Sequence, residues 1–193
     1  MYRYLSIDIG HDNVDQRDPS FVKPAVDSCL ANFFSSEDRE VNCEKCEVGK
    51  IATQTMKILS KPKVMMLHLK RFIVVERPIA GTNDSEIIFK KNKIPVELTT
   101  KLSVDDLLIS SSNKSVGTAS LPEEYRLKSI VYHIGNTANS GHYTTDAVRS
   151  NHDDGKDQWV SYDDGVTVER SLERVVETAK NQKTAYMLMY SID

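Results

Sequence analysis

Gly141-His-Tyr-Thr-Thr-Asp-Ala-Val148, Ser150-Asn-His-Asp-Asp-Gly-Lys-Asp157 and Gln158-Trp-Val-Ser-Tyr-Asp-Asp164 follow one another almost without interruption. Tyr143 to Val148 and Gln158 to Tyr162 are rich in β-branched and aromatic residues, and the stretch between them is polar, so two strands joined by a hairpin connection are expected. Averaging 142 and 163 gives 152.5, the middle of that connection. His142 and Asp163 should therefore lie near each other across an antiparallel pair, in which directly opposed Cα atoms stand roughly 4.5–5.5 Å apart. An imidazole with an unperturbed pKa of about 6.5 can take and return a proton near neutrality when a carboxylate holds its tautomer and orientation. Taken alone, such a pair is more often a surface ion pair. The sequence around it has to decide.

Upstream, Tyr125 to Ile134 reads as a further strand, separated from Tyr143 by a loop with glycine at both ends, Gly135-Asn-Thr-Ala-Asn-Ser-Gly141. Val64-Met-Met-Leu-His-Leu-Lys-Arg-Phe-Ile-Val-Val75 reads as one buried strand, and Tyr4 to Ile9 alternates as a half-buried strand should. From Pro24, the apolar residues Val26, Cys29, Leu30, Phe33 and Phe34 fall on one stripe of a helix. Ser103 and Asp106, three apart and ahead of Leu107 and Leu108, suggest a capping box and a short helix. Residues 110–120 are rich in Ser, Asn, Lys and Gly and read as a flexible insertion, while 77–84, with Pro78 and Gly81, read as a loop. Leu172, Val175, Val176 and Ala179 are spaced for a helix, and Ala185 to Tyr190 for a closing strand. Strands dominate, no βαβ alternation is present, and the expected class is α+β.

The 193 residues are 39% hydrophobic, enough for a real core in one domain or a large part of one. A net charge of −3, with no long basic run, argues against nucleic acid as a partner. No stretch reaches the roughly 18 apolar residues of a membrane span, and the N-terminus lacks a signal-peptide core. Three cysteines, Cys29, Cys43 and Cys46, are too few to staple a secreted scaffold of this size. A soluble protein of a reducing compartment, cytoplasmic or nuclear, is expected. Cys29 lies on the apolar helical stripe and reads as a buried structural thiol. Cys43 and Cys46 form a Cys-x-x-Cys knuckle, half of a four-thiolate zinc site. A redox role for the knuckle is disfavoured, because no thioredoxin-like βαβ pattern surrounds it. His68 and His133 read as hydrogen-bonded packing residues, His11 and His152 as solvated turn residues, and 37–50 as a solvated face.

Four segments in order resemble the ubiquitin-specific proteases: Leu5-Ser-Ile-Asp8; Cys43-Glu-Lys-Cys46 with Val64 to Phe72; Val131-Tyr-His-Ile-Gly135 with Ser140-Gly-His-Tyr143; and Trp159-Val-Ser-Tyr-Asp-Asp164. The last two are similar to that family's histidine box. The resemblance implies a papain-like domain of which this chain carries the palm sheet and half of the fingers, with the thumb missing. Residues 1–60 would hold a fingers strand, a helix and the knuckle, and 61–193 the palm. It implies that His142 is the general base, that Asp163 orients it and that Asp164 assists. Gly141 and Tyr143 would line the channel for ubiquitin's Gly-Gly tail, with the 135–141 loop moving over it. The implied reaction is cysteine-type hydrolysis of the bond after ubiquitin's terminal glycine, with ubiquitin and ubiquitinated proteins as partners. The family's nucleophile follows an Asn and a Gly in an N-terminal box, and no such box occurs in this sequence. The chain alone is therefore expected to be inactive, and zinc to bind only if a second Cys-x-x-Cys is supplied from elsewhere. The alternative is a non-catalytic ubiquitin-binding or regulatory module of the same descent.

Overall fold

The computed structural model describes residues 4–10, 18, 20–42, 45, 50–109, 124–150 and 157–192. Its elements run β1 (Leu5–Ile7), α1 (Val26–Phe33), β2 (Glu37–Val41), β3 (Lys50–Gln54), β4 (Val64–Leu69), β5 (Phe72–Pro78), β6 (Ser85–Lys91) and β7 (Lys101–Leu102). After a 3-10 turn at Asp105–Leu107 come β8 (Tyr125–Ile134), β9 (His142–Ser150), β10 (Asp157–Asp163), β11 (Val166–Arg170), α2 (Leu172–Glu177), α3 (Ala179–Thr184) and β12 (Ala185–Ser191). The fold is α+β, as expected. No helix among the described residues is long and apolar enough to cross a membrane.

An eight-stranded sheet in the order β1-β4-β12-β8-β9-β10-β11, with β7 also pairing β8, forms the body. All its pairs are antiparallel except β1 with β4. Leu67, Leu188 and Ile130 stand level on adjacent strands, and each is at most 1% exposed. Burying a side chain of that size contributes about 1.5–3 kcal/mol before entropy is counted. On α1, Val26, Cys29 and Leu30 face the same core, which follows from their three- and four-residue spacing. Cys29 is the buried thiol expected, its pKa pushed up to about 11 chiefly by desolvation.

Several expected elements are placed differently. The apolar run from Val64 to Val75 is two strands, not one, broken at Lys70 and Arg71. β4 stays in the large sheet, while β5 leaves it to pair with β6 in a separate hairpin. Arg71 causes the break. It is fully buried, and its guanidinium donates to the carbonyls of Ala185 (2.5 Å), Gln182 (2.6 Å), Ile94 (2.9 Å) and Asn92 (3.3 Å). A buried cation so held cannot take an ordinary place in a strand facing the apolar core.

The expected helix after Ser103 is only the 3-10 turn, with no side-chain cap on its first residue; Ser103 Oγ instead donates to Asp105, at 3.5 Å. The segment from Leu172 to Ala179 is two short helices meeting at Thr178, whose extended backbone breaks the helical run. Glu37–Val41 and Lys50–Gln54 form a wholly exposed hairpin, solvated as expected but in strand form. The insertion at 110–120, the knuckle cysteines Cys43 and Cys46, and the turn histidines His11 and His152 lie outside the described residues.

Candidate active site

β9 starts at His142, opposite Ile134 at the end of β8, so the loop 135–141 joins two paired strands and delivers the imidazole at its exit. On the other side, β9 and β10 pair with Thr145 opposite Tyr162 and Ser150 opposite Asp157. Each pair sums to 307, not the 305 that direct opposition of His142 and Asp163 requires. Extending the ladder, Asp163 falls opposite Thr144, and His142 lies two residues beyond it. The two residues are near each other across the pair, as expected, but two positions off the register that the midpoint gives. Because strand side chains alternate with period two, an offset of two keeps both groups on one face and makes them diagonal neighbours. His142 Nε2 meets Asp163 Oδ1 at 2.5 Å, although both side chains are about half exposed.

That hydrogen bond is the chief cause of a pKa for His142 above the ordinary imidazole value. The charges of Asp163 and Asp164 add to it, and desolvation and Lys180 oppose it. Asp164 follows in the tight turn to β11, with a φ of 49°. The ligand atoms of His142, Asp163 and Asp164 all lie within 4.8 Å of one another, so one proton or one small cation could be shared among them. With Nε2 engaged by the carboxylate, Nδ1 is the imidazole nitrogen left to take a proton from another group.

Beneath this pair lies a polar cleft of about 440 Å³, lined among others by Tyr132, Asp146, Arg170, Arg174 and Lys180. Asp146 is buried and accepts from the Tyr132 hydroxyl at 2.7 Å, which fixes the floor of the cleft. A larger cleft of about 640 Å³ opens beside Arg126, Lys128 and Trp159, away from His142.

Tyr143, the next residue, points to the opposite face, as alternation requires. There its ring is 4.9 Å from that of His133 and 6.3 Å from that of Tyr186, and Phe72 lies 5.3 Å from His133. Tyr143 is itself 51% exposed, so the aromatic cluster opens to solvent beside the loop. Gly141 rests on the ring of His133: a Cβ added there would stand 2.2 Å from His133 Nε2. Only glycine fits that approach.

His68 is the hydrogen-bonded packing residue expected, with Ser6 Oγ 2.9 Å from its Nδ1. His133 is buried too, but only partly satisfied: its Nδ1 lies 3.0 Å from Lys91 Nζ, while Nε2 has no hydrogen-bond partner. Lys91, Phe72 and Tyr186 were not singled out from sequence. Alternation in Ser85-Glu-Ile-Ile-Phe-Lys-Lys91 places Ile87, Phe89 and Lys91 on one side of a strand, a signal hidden by Ile87 and Ile88 standing together.

The family model described as ubiquitin carboxyl-terminal hydrolase matches residues 13–190. Among similar curated proteins, the probable ubiquitin carboxyl-terminal hydrolase 9 of Schizosaccharomyces pombe is 28% identical over 93% of this chain and 30% of its own length. Ubiquitin carboxyl-terminal hydrolase 4 of Arabidopsis thaliana is 28% identical over 93% of this chain and 48% of its own. Ubiquitin carboxyl-terminal hydrolase 10 of Rattus norvegicus is 33% identical over 96% and 20%. The chain thus spans less than half the length of these relatives. Among solved structures, the SAGA Ubp8/Sgf11/Sus1/Sgf73 DUB module bound to ubiquitin aldehyde contains a chain of similar fold. The TM-score is 0.67 and the identity 26%, over 98% of this chain and 36% of that one.

Proposed function

We propose, from the premise that this chain belongs to the ubiquitin carboxyl-terminal hydrolase family, that it is the histidine-and-acid portion of a deubiquitinase catalytic domain. The observation that carries this is the contact of His142 Nε2 with Asp163 at the mouth of the 135–141 loop. In this reading, His142 Nδ1 takes the proton of a cysteine thiol supplied from outside this sequence. The thiolate attacks the carbonyl carbon of ubiquitin's terminal glycine, the imidazolium protonates the leaving amine, and water then cleaves the thioester. Asp163 holds the ring, Asp164 adds negative charge nearby, and Gly141 and Tyr143 border the path of the Gly-Gly tail. The partners are ubiquitin and ubiquitinated proteins. A ubiquitin-aldehyde complex and a monoubiquitin complex among the similar structures support that choice.

The chain alone lacks a competent nucleophile in this reading. Cys29 is buried, with its thiol pKa pushed up to about 11. The exposed β2–β3 hairpin brings Val41 opposite Lys50, which fits a fingers element carrying Cys43 and Cys46 between its strands. Those two cysteines supply half of a four-thiolate zinc site, and a second Cys-x-x-Cys from outside this sequence completes it.

The test is to treat the chain with a ubiquitin bearing a thiol-reactive electrophile at its C-terminus, alone and after adding a segment that carries the Asn, Gly and Cys box. No adduct is expected on the chain, and hydrolysis should appear on reconstitution. His142→Ala should then lower it by about 10²–10⁴-fold, the scale of a lost general base. An adduct on any of the chain's three cysteines overturns the predicted inactivity, and a fully active His142→Ala removes the base assignment. The burial of Cys29 also favours a second reading, a ubiquitin-binding module without catalysis. Ubiquitin binding with no hydrolysis on reconstitution would select it.

A further inference from the structure

We propose that Lys91 is a positioning residue whose ammonium fixes the tautomer of His133 and anchors the 135–141 loop, and so sets where Gly141 and His142 stand. The assignment rests on the reading of His142 as the base, although its geometry does not depend on that reading. Lys91 ends β6 and is only 5% exposed. Its Nζ donates to the carbonyl of His133 (2.6 Å), to that of Gly135 (3.0 Å) and to His133 Nδ1 (3.0 Å). Among the described residues no carboxylate pairs with it. Three acceptors match the three N–H groups of an ammonium, which is how a buried cation is tolerated without a counter-ion.

The consequence for His133 is definite. With Nδ1 accepting, the ring proton must sit on Nε2, and the imidazole stays neutral because burial, and then the charge of Lys91, push its pKa down. That Nε2 lies directly under Gly141, where it has no hydrogen-bond partner; the Ser140 backbone is near enough to favour the protonated ring. A Cβ on Gly135 would stand 3.0 Å from both Gly141 Cα and the Ser140 carbonyl oxygen, so the two ends of the loop touch above the ring. One cation therefore holds the loop's first carbonyl directly and its last residue through the imidazole.

The arrangement has two protonation states. The charged groups acting on Lys91 are Arg71 and Lys93, both cations; around the His133 ring stand Phe72, Tyr143 and Tyr186. Burial first, and those cations second, bring the Lys91 pKa down to about 8. When the pair loses a proton, the Nζ hydrogen bonded to His133 passes to Nδ1, and the hydrogen on Nε2 leaves to solvent. The Lys91 amine then accepts from Nδ1–H and keeps its two remaining N–H groups on the two carbonyls. The net change is one proton released, with a bare acceptor left under Gly141.

The test is ¹⁵N NMR of the histidine rings in the whole chain between pH 6 and 10. The wild type should show the Nε2–H tautomer of His133 at pH 6.5 and invert to Nδ1–H with a midpoint near pH 8. Lys91→Met should abolish the inversion and raise amide exchange at 136–141 roughly tenfold, the scale of one or two lost hydrogen bonds. A tautomer that does not change across the range, or Nδ1–H already at pH 6.5, overturns the proposal. If Lys91→Met does not fold, the wild-type titration still decides. Inversion in a chain that shows no hydrolysis on reconstitution would sink the catalytic reading and leave this one standing. An unchanging tautomer in an active reconstituted enzyme would do the reverse.

Discussion

His142 holds its proton more tightly than a free imidazole because the Asp163 carboxylate accepts a hydrogen bond from the ring, and the sign of the pH dependence follows. A base whose folded pKa is raised adds stability that is full below the unfolded value of about 6.5 and is lost as pH climbs through the folded one. Asp163→Asn removes both the accepting carboxylate and its charge. The His142 pKa, followed by proton NMR of the ring, should fall toward the ordinary value, and Asp164→Asn should lower it less. A pKa untouched by Asp163→Asn would end the orienting role of that residue. The pair was readable from sequence because a hairpin connection has a midpoint. Its register was not, because the positions where β9 ends and β10 begins set the pairing, and a polar run does not announce where pairing stops. The error of two positions preserved the face; an error of one would have parted the two groups.

Among the elements, Arg71 ties together what would otherwise be independent pieces: the start of β12, the end of α3, and the segment leaving β6. Arg71→Met keeps much of the side-chain bulk but takes a donor from four carbonyls, of which that of Gln182 still accepts from the amide of Val96. It should cost about 3–5 kcal/mol, since each buried carbonyl left without a donor costs about 1–3 kcal/mol. Urea denaturation measures this, and a change under about 1 kcal/mol would show that those carbonyls find other donors. Sequence showed the strands β4, β8, β10 and β12 because each is an apolar or alternating run. It hid the break at Arg71, since an arginine within an apolar stretch looks like a charge at a strand's exposed edge. It also hid β11, although Val166-Thr-Val168 alternates, because the turn before it is only Asp164 and Gly165.

At the scale of the molecule, the two clefts, the dyad and the aromatic cluster all draw residues from the large sheet, so its integrity bears on each of them. Leu188→Ala, in the middle of that sheet, should cost about 2–5 kcal/mol, whereas Ile87→Ala, 73% exposed on the β5–β6 hairpin, should stay within about 0.5 kcal/mol. Trp159 is the sole tryptophan and sits on β10, so its fluorescence reports a strand three places away from β12. Fluorescence and far-ultraviolet dichroism should shift by the same amount in Leu188→Ala; separate transitions would mean that the sheet does not unfold as one unit. The order of the sheet also bears on how it comes into being. β12 fills the slot between β4 and β8, yet it is translated after both. The large sheet therefore cannot close on the ribosome until residues 185–191 emerge, and β4 and β8, the strands they join, wait unpaired on their facing edges for the last of the sheet's strands to be made.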